Sequence, residues 1–206
     1  MAPRIRTWPY PACLALSVLC TTLLIGKLSF GLAPLWLWLL LLGCGGIWCR
    51  WRRLSLSRPW LMALGLVASV NLLLHLLMVN MAMMRLQVSA HLLLAESLEL
   101  YLAVNGLFLF WYWFFDAPLR NRSDGGIPIG VLFPEEDLEE RLLGQRRWLP
   151  GWFDYLFFTV IASNSLGPPD GHAVVGRSLK AIQMLHSLAM ISVFILILAR
   201  AINTLG

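Results

Sequence analysis

Residues 152–167 read WFDYLFFTVIASNSLG, and how this stretch meets a membrane decides the fold. Trp152 to Ala162 is apolar but far shorter than the roughly 20 helical residues needed to cross a hydrocarbon core about 30 Å thick. Ser163, Asn164, Ser165 and Gly167 then interrupt it, and Arg177 opens an apolar run that continues to about Asn203. A short helix, a polar loop and a full-length span in that order describe a re-entrant element. Non-helical backbone survives at membrane depth only where protein or trapped water satisfies it. If 152–167 crossed completely, its length of about 24 Å would demand a thinned bilayer, so re-entry is the better reading.

Working outward, four further apolar runs cover about 8–26, 30–48, 60–84 and 92–115. The chain is 59% hydrophobic and 13% charged, with a mean hydropathy of +0.72. A soluble domain carries about 25% charged residues, and no stretch between the runs is long enough for a second core. The expected fold is therefore all-α: a polytopic membrane protein with five transmembrane helices and a short re-entrant helix before the last span. Residues 1–115 form a four-helix transmembrane region and 116–151 a loop with a short amphipathic interfacial helix. Residues 152–206 hold the re-entrant helix, its loop and the last transmembrane helix.

The net charge of +5 does not point to nucleic acid, because the basic residues sit beside apolar runs, where they act as topology signals and headgroup contacts. Arg4, Arg6, the Arg50–Arg58 cluster and the basic residues of 116–151 share one side; Lys27, Arg85 and Arg200 take the other. The asymmetry places the N-terminus and the long loop in the cytoplasm. Pore loops of potassium-channel type open from the outer face, so the two criteria conflict. Arg4 and Arg6 precede an apolar run without a small-residue cleavage pattern, which reads as an uncleaved first span. Cys13, Cys20, Cys44 and Cys49 lie in or beside the first two spans and read as buried thiols, with lipidation of Cys49 the weaker alternative. Trp48, Trp51, Trp60, Trp111, Trp113, Trp148 and Trp152 fall near one interface as an aromatic belt.

In the long loop, Pro134 opens a helix with Glu135, Glu136 and Asp137 in its first turn and Arg146 and Arg147 near its end, which suits the helix dipole. Leu138, Leu142 and Leu143 share a face for the membrane surface. The loop's acidic residues, Asp116, Asp124, Glu135, Glu136, Asp137, Glu139 and Glu140, are either a solvated surface or a cluster that concentrates cations at a pore mouth.

Polar groups inside hydrocarbon are costly and need partners. Folding the third and fourth spans about residue 88 sets Asn71 level with Asn105, Asn80 level with Glu96, and His75 near the depth of Glu99 and Tyr101. Interhelical contacts of this kind contribute about 0.6 kcal/mol and at most about 1.7. A proton or ion relay through Glu96 and Glu99 is the functional alternative. On the last helix Lys180, Gln183, Ser187 and Phe194 share a face, with His186 beside it, as a water-lined path requires. Burial against the fourth helix explains the same stripe. The Glu-x-x-His pairs of a di-iron site are absent, and a haem between His75 and His186 lacks a supporting pattern, so neither metal nor cofactor is expected.

The stretch Asp154-Tyr155-Leu156-Phe157-Phe158-Thr159, continued by Val160 to Asp170, resembles the pore helix, filter and outer loop of the two-helix pore module of potassium channels. The helix from Arg177-Ser178-Leu179-Lys180-Ala181 to Leu198-Ala199-Arg200-Ala201-Ile202-Asn203 extends the likeness. More closely, the chain resembles a family of uncharacterised bacterial integral membrane proteins that carry a degenerate form of this module. There too the fourth span ends in an aromatic run leading to an acidic residue, here Phe110-Trp111-Tyr112-Trp113-Phe114-Phe115-Asp116, and a Phe-Pro pair, here Phe133-Pro134, opens a loop helix. The likeness covers about residues 70–206 and is more specific after 110. It implies a bacterial inner-membrane protein and a homo-oligomer, a tetramer about one axis.

The filter itself departs from the pattern. A potassium filter is a Thr-x-Gly-Tyr-Gly run whose glycines let successive carbonyls point at the ion. Here Thr159, Ser163, Asn164, Ser165, Gly167 and Asp170 supply the filter-like loop, and 163–167 holds a single glycine. Four copies would line a polar constriction with hydroxyl and amide oxygens, which does not imply selectivity for dehydrated potassium.

The first expectation is thus an ion-channel-like oligomer in the lipid bilayer passing an unspecified, monovalent ion. The alternative is a non-conducting accessory or structural subunit of a larger membrane complex. An enzyme or redox protein ranks third, because no nucleophile motif, phosphate-binding glycine loop or metal-ligand spacing occurs.

Overall fold

The computed structural model describes residues 10, 12–15, 58–84, 90–120, 130–136 and 148–205. They form α1 (Arg58–Met84), α2 (Ala90–Arg120), β1 (Gly130–Leu132), α3 (Trp152–Ser165), β2 (Ala173–Val175) and α4 (Arg177–Leu205). Tyr10 and residues 12–15 are helical as well. Most of the first two expected spans, and residues 137–147 of the expected loop helix, lie outside the described residues.

Three helices are long and apolar enough to cross a membrane: Arg58–Met81 within α1, Ser97–Arg120 within α2 and Arg177–Ala199 within α4. In α1 burial has a helical period while hydrophobicity does not. Leu61, Leu64, Ala68, Leu72, Leu76 and Val79 are buried, yet the opposite face exposes Met62, Leu66, Val70, Leu73, Leu77 and Met81. A helix apolar all round belongs in lipid or a large core. Ser69 and Asn80 satisfy themselves within α1, donating to the Gly65 carbonyl at 2.8 Å and the Leu76 carbonyl at 2.7 Å. Pro59 occupies the first turn, where its missing N–H has no partner to lose.

Two features depart from the expected fold. The fourth span, expected to end at Phe115, continues helically to Arg120. Asp116 and Arg120 pair at i, i+4 across that extension, and Pro118 forgoes only the bond to the Phe114 carbonyl. Nor is the described chain purely helical. β1 and β2 form an antiparallel pair with Gly130 opposite Val175, Val131 opposite Val174 and Leu132 opposite Ala173. Three-residue strands are too short for alternation to register in sequence.

α3 has 14 residues, about 21 Å of rise, and stops short of a full crossing. Asp154 in its first turn accepts the Gly151 N–H at 2.6 Å, and Leu166 ends it in the left-handed region at φ 56°. The chain divides into two compact units: Met1–Tyr10 with Phe108–Ile191, and Pro11–Leu107 with Ser192–Gly206.

Candidate functional site

The first unit contains two polar assemblies, one charged and one neutral. The charged one is centred on Asp116, which is fully buried. Its Oδ1 accepts the Val131 N–H at 2.8 Å, while Oδ2 accepts the Arg120 Nε–H at 2.5 Å and the Tyr155 hydroxyl. Arg120 also donates through Nη1 to Glu136 Oε1 at 3.0 Å and through Nη2 to the Val131 carbonyl. Its guanidinium carbon stands 5.2 Å from the Phe133 ring centre. Glu136 Oε1 accepts the Phe133 N–H at 3.1 Å. Gly130 has a φ of +146°, and a Cβ there would collide with Asp116 Oδ1, so the close approach of β1 to α2 requires glycine. Burial first, and then the Asp116 carboxylate, push the Tyr155 phenol well above its ordinary range. It therefore stays a donor. The assembly binds the end of α2 to β1, to residues 133–136 and to α3.

The neutral assembly links α2, α3 and α4. Tyr112 donates to Gln183 Oε1 at 2.6 Å. His186 Nδ1 lies 3.2 Å from the Tyr112 hydroxyl oxygen, and His186 Nε2 lies 2.8 Å from Ser163 Oγ. Ser163, His186 and Tyr112 are fully buried. Phe108 stacks on the imidazole with centroids 4.4 Å apart, and Phe158 meets Tyr112 edge-on at 4.8 Å.

The turn after α3 is held by its own hydroxyls. Ser165 Oγ lies 2.9 Å from the Ile161 carbonyl and 2.8 Å from that of Gly167, and Ser187 donates to the Leu166 carbonyl at 2.9 Å. The His172 N–H reaches the Pro169 carbonyl at 2.9 Å. Gly171, at φ +78°, supplies the positive φ needed at the third position of that turn. The His172 ring sits beside Phe133, Phe157 and Phe158.

The filter-like residues thus have divergent surroundings. Thr159 and Ser163 are buried, Thr159 donating back to the Tyr155 carbonyl at 2.7 Å. Asn164, Ser165 and Asp170 are exposed and Gly167 is half-buried. The α4 stripe separates as well. Lys180 is exposed, Gln183 is bonded to Tyr112, Ser187 holds the turn, and Phe194 is half-buried. In the other unit Asn71, His75 and Asn105 are buried, and Asn105 donates to the Tyr101 carbonyl of its own helix at 2.8 Å. Asn80 is half-buried, and Glu99 Oε2 is buried without a hydrogen-bond partner. The side chain of Glu96 lies outside the described residues.

Two of the loop's acidic residues are paired within the protein, since Arg120 bridges Asp116 and Glu136. Both ring nitrogens of His186 have side-chain partners. Arg120, Tyr155, Tyr112 and Gly130 also carry the assemblies, and none of them belongs to a recognisable site motif. The i, i+4 spacing of Asp116 and Arg120 was the one local signal for them. Among the described residues no three His, Cys, Asp or Glu side chains converge to hold a metal ion.

Fold and site together define a mostly helical protein with three helices fit to span a membrane and a buried polar core between α2, α3 and α4. No family model, curated protein or solved structure matches the chain.

Proposed function

We propose that this chain is a multi-pass membrane protein of five spans whose α3, turn and α4 form a degenerate, re-entrant pore-type module. In this reading the module is a packing element of a non-conducting structural or accessory subunit. One observation carries it. The groups a conducting loop would offer an ion are engaged within the protomer: Ser163 with His186, Gln183 with Tyr112, and the Leu166 and Gly167 carbonyls with Ser187 and Ser165. A dehydrating filter needs carbonyls free to replace water around the ion.

A second reading, an oligomeric channel with a hydrated path and a monovalent cation as permeant, is favoured by the exposure of Asn164 in the last turn of α3 and of Asp170 in the segment that follows. Purified protein in liposomes under a monovalent-cation gradient separates the two. The structural reading expects leakage equal to that of protein-free vesicles. Flux above that level that falls in Asn164→Leu overturns it in favour of the channel.

A further inference from the structure

We infer that Gln183, Tyr112, His186 and Ser163 form a directional hydrogen-bond relay in which the Gln183 amide sets the tautomer of His186, and through it the role of Ser163 beside the exposed turn. The inference goes beyond either functional reading, since it holds whether or not the protein conducts.

The directions follow from proton counting. Tyr112 has one hydroxyl proton, and the 2.6 Å bond to the Gln183 carbonyl oxygen uses it. The Tyr112 oxygen, 3.2 Å from His186 Nδ1, must then accept, so the proton of the imidazole is on Nδ1. Among the described residues no carboxylate partners this buried ring, which leaves Nε2 as a lone pair. Ser163, 2.8 Å away, therefore donates. One choice at Gln183 fixes every bond as far as α3.

Removing the Gln183 acceptor reverses the chain. The Tyr112 hydroxyl then has His186 Nδ1 as its nearest acceptor, Nε2 takes the proton, and Ser163 changes from donor to acceptor. Tyr112, His186 and Ser163 keep their heavy-atom positions in both polarities, so the packing of these three does not determine which one is present; the group that Gln183 turns toward Tyr112 does. Two further observations make the relay's output visible. Ser163 precedes exposed Asn164, and Ser187, next to His186, holds the Leu166 carbonyl at 2.9 Å. The same turn of α4 thus grips both ends of the segment 163–166.

Nitrogen-15 NMR of the full chain in lipid nanodiscs, labelled at histidine, tests this. Wild type is expected to show His186 with a pyrrole-like Nδ1 and a pyridine-like Nε2, and Gln183→Leu is expected to exchange the two. Tyr112→Phe, which keeps the ring against Phe158, is expected to leave no single dominant tautomer. In an Asn164→Cys background, Gln183→Leu should change the rate of labelling by a water-soluble maleimide about three- to tenfold, the value of one hydrogen bond. A wild-type Nε2–H tautomer, or a tautomer unmoved by both substitutions, overturns the relay. If Gln183→Leu fails to fold, the Tyr112→Phe spectrum decides alone: an unchanged tautomer refutes the relay and a mixed one supports it.

Discussion

The two assemblies of the first unit both join α2 to α3, with opposite chemistry. Around Asp116 two carboxylates and a guanidinium are joined, with backbone groups of β1 completing the coordination. One turn earlier on α2, Tyr112 begins a chain of neutral groups only. The charged clamp fixes position while the neutral chain fixes direction. A buried ion pair broken on one side leaves a charge without compensation, so the clamp admits one arrangement. Tyr112, His186 and Ser163 each both donate and accept, so their bonds survive an exchange of roles when the Gln183 amide turns over. The first assembly suits a permanent joint, and the second suits an element that changes state.

Substitutions that break this contrast rank by what they leave unpaired. Asp116→Leu removes one of the two carboxylates on Arg120 and the acceptor of both the Val131 N–H and the Tyr155 hydroxyl, and is expected to destabilise by about 3–5 kcal/mol in denaturant titrations of the solubilised protein. Gly130→Ala adds a Cβ at a positive φ against the carboxylate and should cost about 1–3 kcal/mol for the backbone alone. Ser163→Ala takes the donor from His186 Nε2 and is expected to cost about 1–3 kcal/mol, less than the loss of Asp116. Equal losses at Asp116 and Ser163 would erase the distinction. Ser187→Ala, at an exposed bond, should remove about 0.5–1.5 kcal/mol at most and chiefly quicken thiol labelling of Asn164→Cys.

The smallest effect concerns alkali. The folded Tyr155 phenol holds its proton above the ordinary value of 10, so once pH passes that value the unfolded chain releases a proton that the folded chain keeps. Stability is then expected to fall as pH rises above 10 and to show no dependence from this group below it. Comparing wild type with Tyr155→Phe across that window checks the sign.

Much of the helical layout was legible from residue pattern, for local reasons. Runs of apolar residues bounded by Pro59 and Arg177 set α1 and α4 to within a few residues. The polar break from Ser163 pointed to the end of α3 three residues early, since the helix runs through Ser163 and Asn164 to Ser165 and stops at Leu166. The β pair was not legible, because three residues of Gly-Val-Leu and Ala-Val-Val carry no period. The clamp was hidden for a different reason. Asp116 finds its partners 15 and 39 residues away, at Val131 and Tyr155, and no local spacing encodes such a bond. Of the filter-like residues, Thr159 and Ser163 are buried with partners on α3 and α4 while Asn164, Ser165 and Asp170 are exposed, a division that no local pattern encodes.

The Arg120 contact with the Val131 carbonyl has a practical consequence for mapping the protein in cells. Arg120 is bonded to Val131, so the described residues on either side of 121–129 are held together. Lengthening a closed segment is inexpensive, since each doubling adds only about 0.6 kcal/mol of closure entropy. An epitope inserted after Asp124 should therefore leave the protein intact. Antibody access to it in intact against permeabilised cells would then report which compartment this side of the molecule faces.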